Sequence, residues 1–166
     1  MAKVLVVGGA GYIGSHVVKE LMKSGHVVTV FDNLSTGQEI NLFPENRFIR
    51  GDIRNPEEIA AAMCGQDAVV HLAAKKAVGE SMENPMKYSD NNINGSLNIL
   101  NAMVEAGTKY IVFSSSAAVY GMPEKEEVDE GCPVAPINYY GFTKAEIEKF
   151  MGWYDSNPVN LNPLMP

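Results

Sequence analysis

The sequence predicts an α/β fold built on a doubly wound parallel sheet, and three observations carry that expectation. Short apolar runs alternate with amphipathic stretches along most of the 166 residues. The first run breaks into a glycine-rich turn that opens a helix. The second run ends in an acidic residue about twenty positions after that turn, the interval a dinucleotide-binding βαβ unit requires.

Val4 to Val7 is apolar throughout, as expected where both faces of a parallel sheet are covered. Gly8, Gly11 and Gly14 follow at G-x-x-G-x-x-G spacing, and the helix after them carries Ile13, Val17 and Leu21 on one expected apolar face. Val27 to Phe31 is the second strand, ending at Asp32, and Asn33 to Glu45 is a polar connection. Arg47 to Arg50 is the third, followed by Gly51-Asp52-Ile53. Asn55-Pro56 pairs an N-cap with proline at the first helical position, opening a helix to about Met63. Ala68 to Leu72 is the fourth strand. Asn84-Pro85 then opens the longest expected helix, with Ile93, Leu97, Leu100 and Val104 as its apolar stripe and Gly107 as its stop. Tyr110 to Phe113 is the fifth strand and runs into Ser114-Ser115-Ser116. A loop from Met122 to Pro136 precedes a last helix from about Asn138 to Met151.

Residues 157–166 carry three prolines and three asparagines, so residues 155–166 are expected to be an irregular tail. The expected organisation is one Rossmann-like domain over residues 1–154, cut short after about five strands in the order 3-2-1-4-5, with no carboxy-terminal substrate domain. The fifth strand would then form an open edge.

Composition narrows the function classes. A content of 46% hydrophobic residues suits a globular chain, and a net charge of −7 argues against nucleic acid or an anionic membrane as partner. Cys64 and Cys132 lie far apart, outside any zinc or disulfide spacing, so no metal site is expected and a reducing compartment is. No signal peptide or membrane span is evident, which makes the expected location cytoplasmic.

Two constellations carry chemistry. The glycine turn brings backbone N–H groups and the positive end of a helix dipole to a diphosphate. Asp32 can accept the adenosine ribose hydroxyls and would repel a 2′-phosphate. No Arg or Lys lies between Asp32 and Arg47, so NAD is favoured over NADP. The second constellation is Ser116, Tyr140 and Lys144. Tyr140 and Lys144 share a helix face one turn apart, and an ammonium beside a phenol favours the phenolate, as a general base needs. Ser116 follows a strand end, where open α/β sheets place their ligands.

The stretches Gly8 to His16, Asp32 to Gly37, Gly51-Asp52-Ile53 and His71-Leu72-Ala73-Ala74 resemble the extended short-chain dehydrogenase/reductases. Lys76 to Ser81, Asn91-Asn92, Phe113 to Gly121 and Tyr140 to Lys144 narrow the resemblance to the UDP-glucose 4-epimerase family within them. That resemblance implies NAD-dependent interconversion of UDP-galactose and UDP-glucose through a 4-keto sugar. Tyr140 would take the proton of the sugar 4-hydroxyl, Ser116 would bridge the 4-oxygen and Tyr140, and Lys144 would bind the nicotinamide ribose. The same matching puts Gly8, Gly11, Tyr12, Ile13, Gly14, Asp32, Asn33, Asp52, Ile53, Leu72, Ala73, Ala74, Lys76, Asn91 and Ser114 at the cofactor, beside Tyr140 and Lys144. His71 and Glu80 are expected to pack rather than react. Tyr139 stands where the family often has proline, but only Tyr140 has a lysine four residues on. The implied partners are a UDP-sugar and a second copy of the chain, joined through the two long helices. An inactive NAD-binding module, or another nucleotide-sugar enzyme of the same superfamily, is the competing reading.

Overall fold

A computed structural model describes residues 1–123, 127–156 and 162–164, the last as backbone only. Six parallel strands lie in the order β3-β2-β1-β4-β5-β6. They are β1 (Lys3–Val7), β2 (Val27–Asp32), β3 (Arg47–Arg50), β4 (Ala68–His71), β5 (Tyr110–Phe113) and β6 (Asn162–Leu164). The helices are α1 (Tyr12–Lys23), α2 (Pro56–Met63), α3 (Val78–Glu83), α4 (Pro85–Tyr88), α5 (Gly95–Ala106) and α6 (Tyr139–Asp155). None of the described helices is long and apolar enough to cross a membrane.

Strand alternation explains the unbroken apolar runs. Leu5 and Val7 point to one face, with Val69, Ile111 and Phe113, where Ile59 and Met63 of α2, Ile99 and Met103 of α5 and Ile147 and Met151 of α6 close over them. Val4 and Val6 point to the other face, with Val28, Val30 and Val70, against Val18 of α1. The local stop and start signals act as expected. The Asn55 side chain accepts from the N–H groups of Glu57 and Glu58, Asn84 accepts from Lys87, and Asn138 accepts from Gly141. Gly107 ends α5 in the left-handed region at φ 71°.

Three expectations are corrected. On α1 the buried residues are Gly14, Ser15 and Val18, while Ile13 is 62% exposed and Val17 and Leu21 are half-buried. Close approach of Gly14 to the turn after β1 leaves Ile13 at the strand-end cavity, while Val17 and Leu21 do pack against the core around Val4, Val6 and Val18. The long helix is interrupted, because Ser89–Asn94 winds as a π segment between α4 and α5. An extra residue in a wide turn shifts the phase, so Ile99, Leu100, Ala102 and Met103 face the core while Ile93, Leu97 and Val104 stay half-buried.

The tail is the third correction. Helix α6 extends to Asp155, and Asn162–Leu164 is not irregular but adds a sixth strand beside β5, with Tyr110 opposite Asn162 and Val112 opposite Leu164. Proline is tolerated on an edge strand, where one side of the backbone has no neighbour to which it must donate, so Pro163 does not prevent pairing. The rest of the predicted tail lies outside the described residues.

Candidate active site

A cavity of about 360 Å³ opens over the carboxyl ends of the central strands, where the chain leaves β1 for α1. The glycines there leave little choice of residue. Gly8 sits at φ +88°, and a Cβ on it would lie 2.7 Å from the Ala73 backbone nitrogen. A Cβ on Gly14 would lie 2.2 Å from the Gly8 carbonyl oxygen. Helix α1 begins at Gly11 with no side-chain cap and no acidic residue in its first turn. Its first N–H groups therefore have no partner within the helix, and Gly11, Tyr12, Ile13 and Gly14 face the cavity.

Asp32 stands at the end of β2 on the wall of the same cavity. Its carboxylate accepts from the Ala10 N–H at 3.0 Å and the Leu34 N–H at 2.8 Å. A carboxylate offers about four acceptor positions, which leaves capacity for further hydroxyl donors. Asn33, Ile53, Leu72, Ala73, Ala74, Lys76, Asn91 and Ser114 also line the cavity. Asp52 does not. It is held by Arg54 Nη2 at 2.8 Å and by the Asn33 amide at 2.9 Å, and the Arg54 hydrogen bonds keep its carboxyl well below the usual range.

Sequence reasoning missed Val7, Phe31, Ser35, Thr36, Gly51 and Lys75, which complete the wall. Ser35 and Thr36 follow Asp32 directly, so their place was open to inference; Phe31 and Lys75 carry no sequence signal. It also missed the part played by Asn92. The Asn92 side chain pairs with both backbone groups of Lys75, accepting its N–H at 2.8 Å and donating to its carbonyl at 2.9 Å. This clamp shapes the strand-end loop beside the cavity, and the Asn91 amide donates to Asn92 at 3.0 Å.

Ser116, Tyr140 and Lys144 gather at the end of β5, off the wall of that cavity. Tyr140 lies in the first turn of α6, its N–H bonded to Ser81 Oγ at 3.0 Å. Lys144 is 3% exposed and donates from Nζ to the Ser114 carbonyl at 2.7 Å. Its ammonium lies 4.5 Å from the Phe113 ring centroid and 5.9 Å from that of Tyr140. Burial pushes the Lys144 ammonium down to about 8, against the opposing pull of Glu148. The Ser116 hydroxyl caps the following 3-10 turn, accepting from the Ala118 N–H at 3.2 Å. A buried cation one turn from a tyrosine, next to a strand-end serine, can support proton transfer to and from a bound hydroxyl.

His71 is buried in a hydrogen-bond chain. The Ser96 hydroxyl donates to the Asn92 carbonyl at 2.5 Å, so His71 Nε2 carries the proton it gives to Ser96 at 2.8 Å. Glu80 is engaged by Lys87 and by the Tyr88 hydroxyl at 2.9 Å. Among the described residues no group of three or more His, Cys, Asp or Glu could hold a metal ion.

The family model that matches this chain, over residues 4–164, is that of the NAD dependent epimerase/dehydratase family. The chain belongs to that family. It is 49% identical over 155 residues to the UDP-glucose 4-epimerase of Lactobacillus helveticus, covering 92% of this chain and 47% of the relative. It is 46% identical to the enzyme of the same name from Lacticaseibacillus casei, with 92% and 46% covered. Among solved structures, UDP-glucose 4-epimerase from Brucella ovis in complex with NAD superposes with a TM-score of 0.95 at 40% identity. That match covers 99% of this chain and 51% of the other. The Thermus thermophilus enzyme, also in complex with NAD, gives 0.92 at 36% identity, with 98% and 53% covered. The chain spans about half the length of the curated relatives it matches.

Proposed function

We propose that this chain supplies the cofactor-binding half of a UDP-glucose 4-epimerase, with NAD in the glycine-lined cavity and the UDP-hexose ring over Ser116, Tyr140 and Lys144. The observation that carries the reading is the pairing of two adjacent features. One is a helix N-terminus left uncapped at a glycine cradle, and the other is a buried lysine one turn from Tyr140. When bound, NAD supplies a hydride acceptor and donor for the sugar C4. The uncapped N–H groups of α1 hold the diphosphate, and Asp32 accepts the adenosine ribose hydroxyls. Tyr140 takes the proton of the sugar 4-hydroxyl and returns it, while Ser116 hydrogen-bonds the same oxygen. Lys144 places a positive charge beside the Tyr140 ring and donates to the nicotinamide ribose. Two free cysteines support a reducing, cytoplasmic setting, and half-buried apolar residues on α5 support a homo-oligomer.

Calorimetric titration tests the cofactor. The chain should bind NAD more tightly than NADP, and Asp32→Ala should lose that discrimination. Equal affinities in the unaltered chain would refute the assignment. Interconversion of UDP-galactose and UDP-glucose, assayed with the chain alone and with the carboxy-terminal half of a relative added, tests the chemistry. Tyr140→Phe should lower the rate by about a hundred- to ten-thousand-fold. A variant keeping half the rate would remove Tyr140 as the base, and NAD binding with no turnover in either assay would favour an inactive binding module.

A further inference from the structure

Helix α6 reaches the turn after β5 with two side chains of opposite charge, one helical turn apart. Lys144 Nζ donates to the Ser114 carbonyl at 2.7 Å, and the Glu148 carboxylate accepts the hydroxyl proton of Ser115. The two contacts hold consecutive residues immediately ahead of Ser116. Lys144 is buried, and a buried cation is costly unless it is paired. Its neighbours from β5 are the Phe113 ring and the Ser114 carbonyl; from β4, His71, kept neutral by burial; and from α6, the Tyr140 ring and Glu148. Among the described residues Glu148 is the anion whose field favours the charged form of that lysine.

We propose that Glu148 is a positioning residue of the serine–tyrosine–lysine site, fixing through Ser115 the turn that presents Ser116 and balancing the buried Lys144 charge from one helical turn away. The inference rests on the roles proposed above for those three residues. Glu148 is half-buried and bonded to Ser115 across 33 residues of chain, whereas a solvated surface acid would make no such contact. Glu148 touches neither substrate nor cofactor in this arrangement. It acts through Lys144 and Ser115.

The test follows the ammonium directly, by titrating the Lys144 side-chain carbon resonances in the folded chain. The wild-type midpoint should lie near about 8. Glu148→Gln keeps the size and removes the charge, so the ammonium loses its support and the midpoint should fall by about one pH unit. Glu148→Asp should recover most of it. Ser115→Ala frees the carboxylate without removing its charge and should lower the midpoint by a smaller amount. An unchanged midpoint in Glu148→Gln overturns the proposal; should that variant fail to fold, an unchanged midpoint in Ser115→Ala does so instead. In parallel, the pH at which NAD affinity declines should move down together with the midpoint. If wild type binds no NAD while the midpoint still shifts, the cofactor reading fails and the Glu148 pairing stands.

Discussion

Gly14 shows how a single missing side chain fixes an element. A Cβ there would meet the Gly8 carbonyl oxygen at 2.2 Å and the Gly9 Cα at 2.7 Å, and both are backbone atoms that cannot swing aside. Helix α1 would have to lift away from the turn, carrying with it the N–H groups that face the cavity. Gly14→Ala should therefore lower stability by about 2 kcal/mol or more and weaken NAD binding. Gly152 supplies the contrast. It lies inside α6 with no described residue within 4 Å of the added carbon, so Gly152→Ala should raise stability by about 0.5–1 kcal/mol. Urea unfolding of the two variants checks both signs. A neutral Gly14→Ala would mean that the turn is looser than its contacts describe.

The element that most shapes the site is the π segment, and one histidine ties it to the sheet. His71 at the end of β4 donates to Ser96, Ser96 donates to the Asn92 carbonyl, and Asn92 clamps Lys75. Among the described residues His71 Nδ1 has no hydrogen-bond partner, and it is buried. Burial first, and the Lys144 charge second, push the imidazole down to about 3. The folded state thus holds His71 neutral where an unfolded chain would bind a proton near pH 6.5. Stability from this residue is complete above about pH 6.5 and is lost as pH falls toward 3, by on the order of a few kcal/mol. Urea midpoints for wild type and His71→Gln between pH 7 and 4.5 should converge as the pH drops, and parallel curves would refute the linkage. Signals written locally were legible: Asn55-Pro56, Asn84, Asn138 and Gly107 bound their helices as the sequence predicts. The π segment was not, because its wide turn depends on what Asn92 finds 17 residues back in the chain. The exposure of Ile13 was hidden for the same reason, since tertiary contact at Gly14 sets that end of α1 against the strand-end cavity, while Val17 and Leu21 pack on the core as their spacing predicts.

At the scale of the molecule, the strand order and the cavity at the strand ends follow from alternation and from one glycine turn. The sixth strand was not legible, because its three residues include a proline and their pairing with β5 depends on a neighbour distant in sequence. That strand changes the argument for self-association. The open edge expected at Tyr110–Phe113 is covered, so backbone pairing through β5 is closed off. What stays available is a helical face. Ile93, Leu97 and Val104 are half-buried, and Trp153 and Phe142 of the adjoining α6 are 72% and 39% exposed. A hydrogen bond of 2.5 Å from the Tyr154 hydroxyl to Asn101 holds α5 and α6 together as one surface. We expect copies of the chain to associate through this face. Sedimentation equilibrium at micromolar concentration should show association that rises with concentration. Leu97→Glu, which puts a charge in the middle of the stripe, should return the chain to a monomer with its helical content retained. A wild-type chain that sediments as a monomer at every concentration would refute association. Association that survives Leu97→Glu would move the contact off α5.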